Sequence, residues 1–257
     1  MQSIFEKISE IENSTQQAVL CMVVNTKGST PQKAGAKMIV YDSGKIFGTI
    51  GGGSFEKKVI ENALTVIQKK KPAIFSHALV HDHGMCCGGT VEIFIEPIVN
   101  MKKLYIFGAG HIGKALTKFT SELDFKVTLI DERDDAFDEL TIEECNFINK
   151  KHKRAFKELD FDKNTFICVI THNHAYDREI VSYCAKQPHV YLGMIGSERK
   201  VEVAKKTFKA GNILSAKEMK SIDWPMGVNI KVQSPEEIAI AILAKLIDVR
   251  GRLDNVG

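Results

Sequence analysis

Apolar positions follow two rhythms along the chain, and the change comes near residue 100. Before it, β-branched runs alternate with glycine-rich stretches. "AVLCMVVNTKG" (18–28) is a continuous apolar run closed by a glycine, the pattern of a buried strand. "MIVYDSGKIFGTI" (38–50) reads as a hairpin turning at Asp42-Ser43-Gly44. "AIFSHALV" (73–80) and "TVEIFIEPI" (90–98) are two further strands. Helical spacing marks the opening "MQSIFEKISEIENS" and the stretch after the 51–53 glycines, where Val59, Ala63, Val66 and Ile67 share a face and Ser54 is the expected N-cap.

From residue 103 strands and helices alternate. "KLYIFGAGHIGKALTKFTSELDFKVTLIDER" (103–133) holds a strand, a turn, a helix and a second strand, the size of one βαβ unit. Strands are predicted at 145–149, 166–171 and 190–192, with helices over 177–187 and 197–211. The last helix is framed by Ser234 as cap, Pro235 at its first position and Gly251 past its end. The expected class is α/β: an N-terminal α+β domain with glycine-rich loops over residues 1–99, then a Rossmann-like doubly wound parallel sheet over 100–257.

Composition narrows the class. A chain of 257 residues with 44% hydrophobic and 26% charged residues is neither disordered nor membrane-spanning, and no apolar run approaches the ~20 residues that cross a bilayer. The net charge is only +3, and the lysine runs at 69–71 and 149–157 have no aromatic platform beside them, so nucleic-acid binding is not expected. The opening helix carries acidic residues and has no signal-peptide pattern, which points to a cytoplasmic location. Six cysteines in that setting are not a disulfide framework. Cys21, Cys145, Cys168 and Cys184 read as small buried hydrophobes, whereas "HDHGMCCGG" (81–89) sets Cys86 and Cys87 side by side on a connection.

"GAGHIG" supplies Gly108, Gly110 and Gly113 around His111, directly after an apolar strand, with Asp131 ending the next strand. That order is the dinucleotide fingerprint: a tight turn, close approach of backbone to a pyrophosphate, and close helix packing. Asp131 would favour a free ribose 2′-hydroxyl, so NAD is one candidate, although such a fold hosts other phosphate ligands. His172, His174 and Asp177 in "ITHNHAYD" fall where a parallel strand ends, as metal ligands, acid–base groups, ligand contacts or simple helix caps. Ser197, Arg199 and Lys200 open another helix and suit a phosphate contact. In the first domain, Lys33 and Lys37 flank one glycine-rich loop and Gly51, Gly52 and Gly53 form another, a cradle for a polar ligand. For Cys86 and Cys87, metal ligation, sulfur transfer, disulfide chemistry and plain burial all stand open; adjacent cysteines bridge only with strain, and thiolates favour soft centres.

"GSTPQKAGAKMIV", "GTIGGGSFE", "GMCCGGTVEIFIEP", "IFGAGHIGKAL", "IDER", "THNHAYD", "YLGMIGSERK" and "SPEEIAIAILAKLI", in this order and across nearly the whole chain, resemble the XdhC/CoxI accessory proteins of molybdenum hydroxylases such as xanthine dehydrogenase. The resemblance implies a chaperone that binds molybdenum cofactor (molybdopterin), supports exchange of a molybdenum oxygen for sulfur, and inserts the product into its client. It also implies a cysteine desulfurase as sulfur source, with Cys87, the residue just before the glycine pair, as the thiol near the metal. A homodimer is expected, since C₂ dimers are the commonest assembly. The readings from other classes are an NAD-dependent oxidoreductase and a nucleotide-binding regulatory module.

Overall fold

The apolar strands of the first unit pair into a sheet that packs against a helix on each face. The computed structural model describes residues 2–79, 88–138, 140 and 145–254, and its chain divides into two units after Asn100. The first unit contains β1 (Ala18–Lys27), β2 (Lys37–Tyr41), β3 (Ile46–Gly48), β4 (Ala73–Ala78) and β5 (Thr90–Pro97), in the antiparallel order β3-β2-β1-β5-β4. In β5, Val91, Ile93 and Ile95 point inward against Phe55, Val59, Ala63 and Val66 of α2 (Gly53–Lys69). α1 (Ile4–Glu12) starts from a Ser3–Glu6 capping box and covers Leu20 and Ile39 on the opposite face.

One expected cap is misplaced. Helix α2 begins at Gly53 with Gly52 at the N-cap, and Ser54 lies inside the first turn. The glycine run bends into the helix by itself. The turn's donors are taken by Glu56 instead: its carboxylate accepts from Ile50 N (3.2 Å), Gly52 N (3.1 Å) and Thr49 Oγ1 (2.5 Å).

The second unit is a six-stranded parallel sheet of β6 (Lys102–Phe107), β7 (Phe125–Asp131), β8 (Asn146–Asn149), β9 (Thr165–Val169), β10 (Tyr191–Met194) and β11 (Ile222–Asp223). Its spatial order is β11-β10-β9-β6-β7-β8. Counted from its own first strand that is 6-5-4-1-2-3, the doubly wound dinucleotide order, so the chain reverses direction between β6 and β9. All five residues of β9 are buried, as a strand covered on both faces requires. α3 (His111–Thr120) and α8 (Pro235–Asp254) close one face through Leu116, Ala239, Ile242 and Leu246. α5 (His174–Cys184) and α6 (Glu198–Ala210) close the other through Ile180, Val181, Val201 and Ala204, and α4 (His152–Ala155) joins them through Ala155.

Several boundaries differ from the sequence reading by a few residues, and two of them have a clear local cause. Asn173 caps α5 by accepting from Ala175 N (2.9 Å), so the helix starts at His174 and takes in "HAY". α8 begins at Pro235 as expected, with Ser234 Oγ accepting from Glu237 N (3.2 Å), but continues through Gly251. Arg250 reaches Asp124 and Arg252 pairs with Asp248, which holds the last turns in place. The helix α7 (Ala216–Ser221) and the two-residue β11 were too short to leave a periodic signal. No helix among the described residues is long and apolar enough to cross a membrane.

Candidate functional site

The three fingerprint glycines meet three different steric demands. Gly108 has φ +114°, and a Cβ there would lie 2.2 Å from the Ile170 carbonyl oxygen at the end of β9. A Cβ on Gly113 would lie 1.9 Å from the Gly108 oxygen, so α3 packs directly on the turn. A Cβ on Gly110 would meet nothing within 4 Å. Gly110 is the N-cap of α3 and covers the helix end with no side chain, while Lys114 N already donates to its carbonyl (2.9 Å). The first-turn N–H groups ahead of Lys114 have no carbonyl of their own helix to bond, the arrangement that receives an anion. His111 is exposed at this helix start, with Glu236 of α8 as a neighbouring carboxylate.

Asp131 is buried and fully engaged. Its Oδ1 accepts from Arg133 N (3.0 Å) and Nε (3.0 Å), and its Oδ2 from Ala109 N (2.8 Å) and Arg133 Nη2 (2.8 Å). Burial alone would raise its carboxyl pKa, but these donors outweigh burial and hold it below the ordinary aspartate range. The residue expected at a ribose thus ties the end of β7 to the glycine turn.

At the end of β9, the buried Asp177 accepts from Thr171 N (3.0 Å) and Thr171 Oγ1 (2.6 Å) with Oδ1, and pairs with His174 Nδ1 (3.0 Å) through Oδ2. His174 lines a cleft between α5 and α6 with Arg178, Arg199 and Lys200, where Ser197 caps α6 by position without a side-chain bond. His172 lines a different cleft. It lies edge-on to Tyr176 and shares its space with Gly108, Asp131, Glu132, Lys150 and His152. The two histidines that the motif groups together therefore serve separate surfaces. Among the described residues, no group of three or more His, Cys, Asp or Glu side chains is placed to hold a metal.

Asp177→Ala should lower the stability of this unit by about 3 kcal/mol, because a buried N–H, a hydroxyl and an imidazole lose their shared acceptor. Urea unfolding measures it; an unchanged midpoint would show that the network carries no weight.

Glu132, Lys150, His152 and Tyr176 were not singled out by any motif. Glu132 and Tyr176 lie inside the quoted "IDER" and "THNHAYD", and Lys150 and His152 inside the 149–157 lysine run, without a role assigned to any of them. Lys150 Nζ pairs with Glu158 (2.5 Å) and His152 Nε2 with Glu179 (2.9 Å). The charge of Glu132 and a hydrogen bond to its carboxylate raise the Tyr176 phenol pKa.

In the first unit three glycine-rich connections converge. A Cβ on Gly89 would stand 2.4 Å from Ser29 O and 2.6 Å from Lys27 O, and one on Gly51 would stand 2.7 Å from the Pro31 ring. Gly52 and Gly53 border open space at the start of α2. Lys37 Nζ donates to Gly35 O (3.0 Å) and lies over the Phe5 ring, while Lys33 is exposed in the same loop. Cys86 and Cys87, with His81 and His83, lie outside the described residues. The described cysteines are poor candidates for sulfur chemistry: burial pushes Cys21 up to about 12 and Cys145 up to about 11, and raises Cys168 and Cys184 further.

Known proteins share both units. Residues 104–246 match the family model described as the XdhC Rossmann domain, and residues 12–88 match that of the XdhC and CoxI family. The uncharacterized protein YqeB of Escherichia coli (strain K12) is 30% identical over 254 residues, covering 96% of this chain and 46% of that protein. A Bacillus subtilis (strain 168) protein, named as a probable subunit of xanthine dehydrogenase, is 26% identical over 166 residues, covering 64% of this chain and 48% of that one. The chain thus spans about half the length of the curated relatives it matches. A crystal structure of a xanthine dehydrogenase from Bacillus halodurans shares the fold, with a TM-score of 0.53 at 19% identity, covering 98% of this chain and 96% of that one.

Proposed function

Because this chain belongs to the XdhC and CoxI family, we propose that it is an accessory protein of a xanthine dehydrogenase-type molybdenum hydroxylase, one that binds molybdenum cofactor, supports its sulfuration and inserts it into the client. The observation that carries this reading is the convergence in the first unit. Gly88 and Gly89, which continue directly from Cys87, stand against Gly28, Ser29 and Thr30, and Gly51 stands against Pro31. The loop that bears Lys33, the Gly51–Gly53 backbone and the Gly88–Gly89 pair are thereby neighbours in the fold, and the thiol pair adjoins Gly88 in sequence.

A bound molybdopterin would supply a phosphate at one end and a soft metal held by a dithiolene at the other. The residues fit such a cargo. Ile50 and Gly52 N–H groups are already taken by Glu56, so the phosphate falls to the N–H groups that open α2, where no side chain stands over Gly52 or Gly53. Lys33 supplies the exposed cation of the adjoining loop; Lys37, engaged with Gly35 and Phe5, is the weaker partner. Cys87, with Cys86 beside it, offers the soft thiolate, and sulfur arrives from a cysteine desulfurase. The Gly108–Gly113 turn of the second unit binds a nucleotide such as NAD; its support is the open space over Gly110 and the first turn of α3.

Purification from cells that do and do not make molybdopterin tests the main claim. Pterin fluorescence and molybdenum should accompany the protein only from the first. A protein free of pterin from both sources that turns over NAD with a small alcohol or acid would replace the chaperone by an oxidoreductase.

A further inference from the structure

The cleft at the chain-reversal point contains a carboxylate oxygen with an unmet demand. Oε2 of Glu132 is buried and has no hydrogen-bond partner. A buried acceptor left without a donor is destabilising, and a charged one more so, so such atoms mark positions where a ligand or an ordered water completes the bonding. The side chains around it do not meet that demand. Lys150 is committed to Glu158 and His152 to Glu179. The Tyr176 phenol lies close enough for the Glu132 charge to raise its pKa, yet Oε2 is left without a donor. Among the described residues, nothing supplies the donor that Oε2 lacks.

Asp131, one residue earlier, is in the opposite condition. A carboxylate offers about four acceptor positions, and all four donors it receives come from Ala109 and Arg133. A ribose hydroxyl could reach it only by displacing the Arg133 guanidinium. We propose that Glu132, not Asp131, is the residue that receives the ribose hydroxyls of a nucleotide whose phosphates lie at Gly110 and the N-terminus of α3. This inference rests on the nucleotide reading of the glycine turn. Gly108 and Glu132 line the same cleft, with the unmet oxygen buried in its wall. The ligand class follows from the donor set: a ribonucleoside diphosphate with a free 2′-hydroxyl. A 2′-phosphate would place like charge against Glu132 and is selected against.

The test is calorimetric binding of ADP and 2′-deoxy-ADP to the full chain, wild type and Glu132→Ala. Wild type should prefer ADP at least about ten-fold, the size of a charge-assisted hydrogen bond. In Glu132→Ala the preference should vanish, with ADP falling to the deoxy value and the deoxy affinity unchanged. That unchanged affinity also reports that the variant is folded, and Glu132→Gln, which keeps an acceptor and the shape, should retain part of the preference. A ribose preference that survives in Glu132→Ala overturns the role of Glu132 while leaving the nucleotide reading intact. No binding of either ADP or NAD to wild type overturns both.

Discussion

Gly113→Ala should unfold or grossly weaken the C-terminal unit, whereas Gly110→Val should leave it folded and abolish nucleotide binding. The contrast is steric. The added methyl at Gly113 would sit 1.9 Å from the Gly108 carbonyl oxygen, a backbone atom that cannot step aside without moving the turn. Gly108 in turn has φ +114° and is pressed against the Ile170 carbonyl, so the turn has no room to retreat. Overpacking of this kind costs about 3 kcal/mol or more, a large share of the ~5–15 kcal/mol that holds a domain together. Gly110 is different. It has extended backbone, φ −76° and ψ −175°, that any residue adopts, and a Cβ there meets no protein atom. Valine is a poorer N-cap than glycine by only about 1 kcal/mol, while its methyl groups fill the space kept for a phosphate. Urea unfolding followed by NAD or ADP titration reads both effects. Full nucleotide affinity in Gly110→Val would show that the fingerprint serves packing alone.

Cys87→Ser should leave the protein folded and remove its ability to deliver active cofactor. Serine keeps the side-chain size and replaces a soft, ionisable sulfur with a hydroxyl that neither ionises nor favours molybdenum. No described cysteine substitutes for it, since burial holds the thiols of Cys21, Cys145, Cys168 and Cys184 in their protonated, unreactive form. Cys86→Ser should do less. The measurement is the activity of a client molybdenum hydroxylase reconstituted with each variant. Equal loss in both would indicate a shared sulfur or metal site. Full activity in both would return the pair to the status of small structural residues and remove the thiol from the proposed function. The chain spans about half of the curated proteins it matches, so client reconstitution, and not any single binding assay, is the measurement that speaks to the role of the whole protein.

Much of the fold was legible because it is written locally. The strand, the 108–113 glycines, the helix and the strand ending at Asp131 follow one another within one βαβ unit, and the constraints on Gly108 and Gly113 arise between near neighbours or adjacent strands. The turn at Asp42-Ser43-Gly44 and the start of α8 at Ser234-Pro235 are likewise set by a few adjoining residues. What depended on which of several possible partners a side chain takes was not legible. Gly52 replaced Ser54 as the cap of α2 because Glu56 reaches back to the loop donors. Gly251 failed to stop α8 because ion pairs continue on either side of it. His172 and His174 diverged because the buried Asp177 takes the second and leaves the first to Tyr176. By itself, then, the sequence determined the element order, the parallel sheet of the second unit and the place of its glycine turn, since spacing and backbone sterics act over a few residues. Only the tertiary structure decided which carboxylate beside that turn is spent and which is open. Asp131 is consumed by Ala109 and Arg133, while one oxygen of Glu132 is buried and unmet, because the sharing of hydrogen-bond donors is settled only once distant elements have packed together.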